Sequence, residues 1–554
     1  MLRVRWLGRV PYDEAHALQR ALHAQGAEDH LLLLEHPHVF TLGAHADAAH
    51  VLVDPASVGA AMVRTDRGGD VTYHGPGQLV GYPVVRVPMA PGAVPGHVHT
   101  VEQVVIDALA DLGVVADRLP GYPGVWVGTA GSQPRKICAI GVRVSRGRSM
   151  HGFALNVDPD LEWFDRIVPC GIADKGVTSL SAEGVAVPME RVVDAVATHA
   201  ALAWPDDGGV DRQDVAWPET AAPAGLEAAA LSPGGGGERL RRRLRQAGVE
   251  PDEGLALSAR KPEHLRVKAT MGAEFQDLRR TMRSLALVTV CEEAGCPNIF
   301  ECWADGTATF MINGERCTRA CGFCQVDTRR PLAQDPAEPR HVAEAVERLG
   351  LAHAVVTAVA RDDLPDGGAG GFADTIAAIR ERTPEVAVEV LVPDCKGDAG
   401  SLARIFEARP DVFNHNLETV ARLQRAVRPS AGYARSLAVL ARAKAYGLVT
   451  KSGMILGMGE SVDEVQGALA DLRGVGVDIV TLGQYLRPSA AHLPVARWWS
   501  PAEFDELREL GLALGIPHVE ASPLTRSSYH ARGAAAAASK AGRRTAPAPV
   551  AVGS

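Results

Sequence analysis

Six cysteines fall between residues 291 and 324, of nine in the whole chain. Cys317, Cys321 and Cys324 form a C-x3-C-x2-C array inside "ERCTRACGFCQ". Structural zinc normally takes four protein ligands, often as two C-x2-C pairs. Three thiolates on one tight loop suit a [4Fe–4S] cluster better, with one iron left open to a substrate or cofactor. Upstream, "VCEEAGCPNIFECW" places Cys291, Cys296 and Cys302 in a C-x4-C-x5-C array, a second metal-binding triplet. Cys395, in "VPDCKGD", belongs to neither. The remaining two thiols lie far upstream. Cys170 sits in "RIVPCGIADKGVTSL", beside a glycine, where it could approach a bulky thioester. Cys138 follows Lys136 in the strand-like "RKICAIGVRV", among Ile137, Ala139 and Ile140. Spacing alone does not select either as a nucleophile.

The elements that carry these residues divide in two. Before residue 205, "DHLLLLEH", "KICAIGVRV" and "MHGFALNV" read as strands, and "YDEAHALQRALHAQ" and "MERVVDAVATHAALAW" as amphipathic helices. They follow no βα rhythm, which predicts an α+β domain over 1–204 with a mixed or antiparallel sheet. Residues 205–237 are rich in Pro, Gly and Ala and read as a flexible linker. The basic run "ERLRRRLR" at 238–245 follows it, either a solvated helix face or a patch for an acidic partner. From "ATFMING" onward six strands alternate with helices, which predicts a parallel sheet in an open, partial (β/α)6 barrel. Asp362, Asp363, His415, Asn416, Glu418, Lys451 and Gln484 are placed at or just past strand C-terminal ends, the edge that carries chemistry in such folds. That domain spans 238–534, and 535–554 reads as a disordered tail.

The totals narrow the class. A chain of 554 residues with 46% hydrophobic residues supports two real cores. A net charge of −9 argues against nucleic-acid binding. No apolar run approaches a membrane span, and the N-terminus lacks a signal-peptide pattern, so a cytoplasmic protein is expected. Clustered cysteines in a reducing compartment point to metal binding rather than disulfides.

The C-x3-C-x2-C loop after the first barrel strand, with Phe323 before the last cysteine, resembles that of the radical S-adenosylmethionine superfamily. Residues from about 255 to 534 resemble lipoyl synthase through both triplets, "ARDDLPDGGA", "NHNLETV", "KSGMILGMGE", "GQYLRPS" and "RSSYHA". The resemblance implies S-adenosylmethionine and two [4Fe–4S] clusters. One is held by Cys317, Cys321 and Cys324. The auxiliary one, a sacrificial sulfur source, is held by Cys291, Cys296, Cys302 and Ser528. It also implies a 5′-deoxyadenosyl radical that abstracts hydrogen from a protein-bound octanoyl chain, and an electron donor such as ferredoxin or flavodoxin.

Residues 1 to about 204 resemble the octanoyl-carrier-protein:protein octanoyltransferases, of biotin/lipoate ligase-like fold, through "RGGDVTYHGPGQ", "RKICAIG", "HGFALNV" and "PCGI…GVTSL". By that resemblance Cys170 is the acyl-carrying nucleophile and Lys136 its partner. The acyl chain is bound by Arg67, Gly68, Gly69, Asp70, Val71, Thr72, Tyr73 and His74, by Ala139, Ile140 and Gly141, and by Gly152, Phe153 and Ala154. Implied partners are octanoyl acyl carrier protein and the lipoyl domains of 2-oxoacid dehydrogenase complexes or the glycine cleavage H protein. Cys138 stands where the family pattern has a small aliphatic residue, which raises acyl trapping or oxidation there. The expected whole is a bifunctional enzyme of lipoate biosynthesis. The rival expectations for the first half are an ATP-dependent ligase, a fold relative with the same lysine motif, and a non-catalytic docking module. A redox-sensing iron–sulfur protein without turnover is a third.

Overall fold

The computed structural model describes residues 1–535 except 27, 169–174, 206–207, 218–234, 267–279, 281, 283–284, 286–287, 290–297, 299–301 and 303–306. Two units divide it, Met1–Trp217 and Pro218–Ser554. Among the described residues no helix is long and apolar enough to cross a membrane.

The first unit is built on a nine-stranded mixed sheet. Its strands are β1 (Leu2–Arg9), β2 (Asp29–Glu35), β6 (Gln78–Val84), β7 (Ala116–Leu119), β8 (Tyr122–Val127), β9 (Arg135–Ser145), β10 (Arg148–Asn156), β11 (Gly176–Val177) and β12 (Val210–Asp214). The order is β12-β1-β2-β6-β10-β9-β8-β7, with β11 paired beside β9. A smaller sheet holds β3 (Val39–Leu42) between β4 (Ala61–Arg64) and β5 (Val71–His74). Helices α2 (Ala93–Asp111) and α3 (Met189–Ala203) bury Val101, Val105, Val192 and Val196 in one core with Leu31, Val125, Ile137 and Leu155. Helix α1 (Tyr12–Gln25) packs on β6 and β10. It buries Tyr12, Ala15, Leu18 and Leu22 at helical spacing, starts with Asp13 and Glu14, and ends at Gly26 in the left-handed region.

The linker expectation fails at its N-terminal end. Val210–Asp214 is a strand, paired in parallel with Leu2–Trp6, and Trp217 stacks on Trp6 with centroids 4.5 Å apart. Arg3 and Arg5 both reach Asp211, so charge as well as backbone holds the segment. Its polar sequence hid an edge strand, whose alternation is short and whose outer side faces solvent.

The second unit contains α4 (Gly235–Gln246), which begins inside the segment read as linker, and an eight-stranded sheet. Strand β13 (Val288–Thr289) is antiparallel to β14 (Thr307–Ile312). Then β15 (His353–Ala358), β16 (Ala387–Leu391), β17 (Val412–Asn414), β18 (Thr450–Leu456), β19 (Ile479–Gln484) and β20 (His518–Ala521) follow in parallel and in sequence order. Helices α5 (Glu338–Arg348), α6 (Ala369–Arg382), α7 (Ala399–Glu407), α8 (Gln424–Val427), α9 (Tyr433–Ala445), α10 (Val462–Gly474) and α11 (Pro501–Ala513) lie between the strands. Capping boxes at Ser461/Glu464 and Ser500/Glu503 start α10 and α11. The parallel run has seven strands rather than six, because the four-residue "HVEA" was too short to read as one. Of the expected tail at 535–554, all but residue 535, which ends a helical turn, lies outside the described residues.

One barrel-edge expectation is also corrected. Lys451 is the second residue of β18 and fully buried, with Nζ 2.9 and 3.2 Å from the two oxygens of buried Glu389. It is a core ion pair near the start of its strand, not an edge residue. "KSGMIL" was assigned to the edge as a block, whereas strand position places only its far end there.

Candidate active sites

In the second unit a cavity of 410 Å³ opens at the C-terminal ends of the parallel strands. Cys317, Cys321 and Cys324 line it, together with Phe323, His415, Asn416, Glu418, Arg428, Gln484 and Ser528. The thiol loop leaves β14 through Asn313, in the left-handed region. Backbone bonds then fix it on three sides: Cys317 N–H to Asp327 O, Thr318 N–H to Ala360 O and Gly322 N–H to Val427 O. Arg319, between the first two cysteines, is its internal anchor. Nε and Nη2 donate to the two oxygens of Asp362 at 2.7 and 2.8 Å, and Nη2 donates to Asp394 at 2.6 Å. Burial pushes the Asp394 carboxyl up, but the Arg319 guanidinium outweighs it and holds the group below its ordinary value. Thr318 Oγ1 donates to Ala360 O and Lys396 Nζ donates to Asp362 O. So Asp362 serves the loop, and Asp363 is taken by Arg361 at 2.9 Å.

Burial pushes the Cys321 thiol up to about 12 and raises that of Cys324. Thiols so placed are inert unless a cation draws off the proton. Arg319 N–H donates to Cys317 Sγ at 3.4 Å, a bond that suits a metal-held thiolate. His415 donates from Nδ1 to Val392 O at 2.8 Å, and its buried Nε2 has no partner. Burial drops that ring to about 4 and leaves it neutral. Asn416 Nδ2 reaches Glu418 and Ser527, and its buried Oδ1 is also unpartnered. Gln484 donates to the carbonyls of Leu456, Tyr485 and Arg497 and accepts from Trp499 N–H, so it braces the rim.

Of the second triplet, Cys291 and Cys296 lie outside the described residues. Cys302 is half-buried, and its N–H donates to Asn298 O. Asn298 Nδ2 in turn donates to Leu524 O at 2.7 Å, which ties this segment to the loop of Arg526, Ser527 and Ser528. Those three residues line the thiol cavity. The only sequence signal for Ser528 is the family motif, because serines in turns are common.

In the first unit Lys136 is buried on β9, with Nζ 4.7 Å from the centroid of the Trp126 ring. Lys136 pairs with Val177 of β11, and its carbonyl accepts from Thr178 N–H. Cys170 lies outside the described residues, but the chain after it therefore returns to the Lys136 strand. Cys138 is fully buried, and burial drives its thiol far above the ordinary value. Acyl trapping or oxidation at Cys138 has no physical basis.

A seam of 30 Å³ lies under α1. It is lined by Arg67, Thr72, His74, Ala139, Ile140, Gly141, Gly152, Phe153 and Ala154 from the sequence-based set. Gly68, Gly69, Asp70, Val71 and Tyr73 do not line it. Strand alternation turns Val71 and Tyr73 to the other face, into a cluster with Phe40, Trp163 and Phe164. Asp70 pairs with His50. Gly68 acts through its backbone: a Cβ on Gly141 would sit 3.0 Å from Gly68 O, so the loop lies directly on β9. Arg67 donates to Thr41 O and Oγ1 and to Gly68 O, fixing that loop. Tyr12, Tyr82 and His151 line the seam and were missed. Tyr82 Oη bonds His36 Nε2, and His151 Nε2 bonds Asp66 at 2.7 Å. Their alternation on β6 and β10 could have found Tyr82 and His151. Tyr12 comes from a distant helix and carries no local signal.

Comparison with known proteins agrees with this division. Residues 11–201 match the lipoyl protein ligase A/B catalytic domain. Residues 249–296 match the N-terminal domain of lipoyl synthase, and 311–472 match the radical SAM superfamily. The lipoyl synthase of Mycobacterium avium is 56% identical over 272 residues, which is 49% of this chain and 89% of that protein. That of Rubrobacter xylanophilus is 55% identical over 273 residues, 49% of this chain and 85% of its own length. Through its C-terminal half, this chain belongs to the lipoyl synthase family.

The lipoyl synthase family and its radical SAM superfamily use S-adenosylmethionine and [4Fe–4S] clusters, and the donor set of the second unit fits them. Three thiols and no fourth protein donor of the same loop face one cavity, which is what an iron left open requires. The N-terminal half is a ligase- or transferase-like catalytic domain of the lipoyl protein ligase A/B kind. The lipoyl synthase relatives align only with the other half.

Proposed function

We propose that the two halves perform consecutive steps of lipoate formation on one protein substrate, a lipoyl domain. The first transfers an octanoyl group from acyl carrier protein to a lysine of that domain. The second inserts two sulfurs into the attached chain. The observation that carries the second step is one cavity that gathers Cys317, Cys321, Cys324 and Ser528 at the edge of the parallel sheet.

For the first step, a Cys170 thiolate attacks the octanoyl thioester carbonyl, and the carrier's thiol leaves as the Cys170 thioester forms. The acceptor lysine amine then attacks that thioester. An amide forms, the Cys170 C–S bond breaks, and Lys136 Nζ takes the amine proton. Before that, the Lys136 ammonium favours the Cys170 thiolate and then gives its proton to the departing carrier thiolate, which leaves Lys136 neutral for the second attack. Its burial against Trp126 and its pairing with the chain that follows Cys170 support this role. The seam has room for little more than a water. An eight-carbon chain therefore has to displace lining side chains as it enters, and Phe153 and Ile140 offer it apolar contact.

For the second step, Cys317, Cys321 and Cys324 would hold one cluster, and Cys291, Cys296, Cys302 and Ser528 the auxiliary one. When bound, these groups and S-adenosylmethionine supply hydrogen abstraction from carbon and the sulfur atoms. Arg319 with Asp362 and Asp394 keeps the thiol loop in one geometry. Neutral His415 and the free Oδ1 of Asn416 offer hydrogen bonds inside the cavity, and the largely apolar walls keep water from the reacting carbon.

The ligase reading of the first half is favoured by the name of the family it matches, and ATP separates the two. The test is the intact mass of an unmodified lipoyl domain incubated with anaerobically reconstituted protein and octanoyl carrier protein, without ATP. An octanoyl shift that becomes a lipoyl shift on adding S-adenosylmethionine and reductant is expected. A shift that needs ATP would make the first half a ligase. No shift in any tube would remove the acyl-transfer step.

A further inference from the structure

Helix α4 carries five arginines between 239 and 245. Arg241 and Arg245 pair with Asp252, and Arg245 also with Glu250. Arg242 and Arg243 on α4, and Arg425 on α8, form no ion pair with any described residue. Arg239, Arg242 and Arg425 are exposed. The Arg243 guanidinium is pulled below its ordinary value, first by burial and then by Arg425, Arg239 and Arg242. Arg242, Arg243 and Arg425 thus lie close together with no ion pair to a described residue, and Arg239 adds its charge beside them. Like charges gathered this way repel, and the chain as a whole is acidic, with a net charge of −9. A solvated helix face needs no such crowding across two helices.

The position of the patch is informative. Helix α4 packs on α8, whose last carbonyl, Val427 O, accepts from Gly322 N–H at 2.8 Å. A methyl on Gly322 would come within 2.8 Å of Leu493, which also donates its N–H to Gly322 O, and within 3.3 Å of Leu240 Cδ1 on α4. Gly322 lies between Cys321 and Cys324 but does not line the thiol cavity. Thus the thiols face the cavity while the backbone between them faces Leu493, α4 and α8.

We infer that the Arg239–Arg242–Arg243–Arg425 face docks an acidic one-electron carrier protein, which reduces the group held by Cys317, Cys321 and Cys324. The inference rests on the radical reading of that cavity. One electron leaves the reduced carrier, which is thereby oxidised, and enters the thiolate-held group, with no bond made or broken. A lipoyl domain must present its acyl chain through the cavity mouth. An electron carrier needs only proximity to the loop, which this face provides through Gly322 and Val427. Complementary charge raises encounter rates and loses force in salt.

The test uses the full-length holoprotein and flavodoxin hydroquinone, an acidic flavoprotein, as the probe. Arg242→Glu with Arg425→Glu is expected to slow flavodoxin oxidation at low salt by at least about tenfold in stopped flow. The gap should close at high salt, and Arg242→Gln with Arg425→Gln should fall between. The same variants should weaken the Kd of oxidised flavodoxin even for protein stripped of iron. Dithionite-driven sulfur insertion should be unchanged. Unaltered flavodoxin kinetics would overturn the inference, and so would an equal loss with dithionite. A dithionite-driven loss seen with an octanoylated lipoyl domain but not with an octanoylated peptide would assign the face to the acceptor instead. If wild-type protein inserts no sulfur with dithionite, the radical reading fails, while the flavodoxin Kd still decides the docking face.

Discussion

The proposed function makes opposite demands on the cysteines of the two halves. In the second unit three thiols sit on a loop locked by Arg319, Asp362, Asp394 and three backbone bonds, and burial makes Cys321 and Cys324 poor nucleophiles. In the first unit Lys136 is buried in the sheet, and Cys138 on the same strand lies in the core, where burial raises its thiol. A metal-binding loop needs fixed donors that release their protons only to a cation. An acyl carrier needs a thiolate in the free enzyme and access for two macromolecules in turn.

Paired deletions break this contrast most sharply. Cys317→Ala should abolish iron in the first cluster and all sulfur insertion, leaving octanoyl transfer intact. Cys170→Ala should reduce transfer at least about 10³-fold while a pre-octanoylated domain is still converted. Iron content and intact mass check both, and loss of both steps in either variant would mean the halves do not work independently. Because Cys138 is sealed in the core, Cys170→Ala should show no residual acyl-enzyme.

Lys136→Met should lower transfer about 10²- to 10⁴-fold, and the thiolate limb of the pH profile should move to higher pH. A loss without a change in that profile would make Lys136 structural. Arg319→Lys keeps the charge but not the fork shared by Asp362 and Asp394. It should cost about 1–3 kcal/mol and slow cluster reconstitution, followed by visible absorbance. The same network carries a pH prediction. Both carboxyls are held below their ordinary values, so their contribution is complete above about pH 4. It is lost as pH falls through the lowered values, and denaturant midpoints of wild type and Arg319→Lys should converge there. A comparable cost in stability is expected for Gly152→Ala. Its Cβ would stand 2.2 Å from Gly81 O, so destabilisation of about 1–3 kcal/mol is expected, with transfer reduced and sulfur insertion untouched.

Much of the chemistry was legible locally. Ligand triplets and βα alternation are short-range patterns, so Cys317, Cys321, Cys324 and six of the parallel strands were readable. Glycine and proline content located a boundary, but Val210–Asp214 escaped because an edge strand has only one neighbour to advertise it. Arg67, Thr72, His74 and the β9 and β10 segments of the expected acyl set line one seam, yet most of "RGGDVTY" does not. A motif is linear, whereas a strand divides its residues between two sides.

By itself the sequence determined which residues are chemically able: thiols at cluster spacing, a lysine beside a strand, arginines massed on one helix. Only the tertiary structure decided which of them share a space. It put Lys451 in the core with Glu389, sealed Cys138, and brought Ser528 from near the far end of the chain to the three thiols. It also set Arg425 among the α4 arginines. The reason is physical: residue type fixes what an atom can do, but burial, partners and distance are set by contacts between segments far apart in the chain.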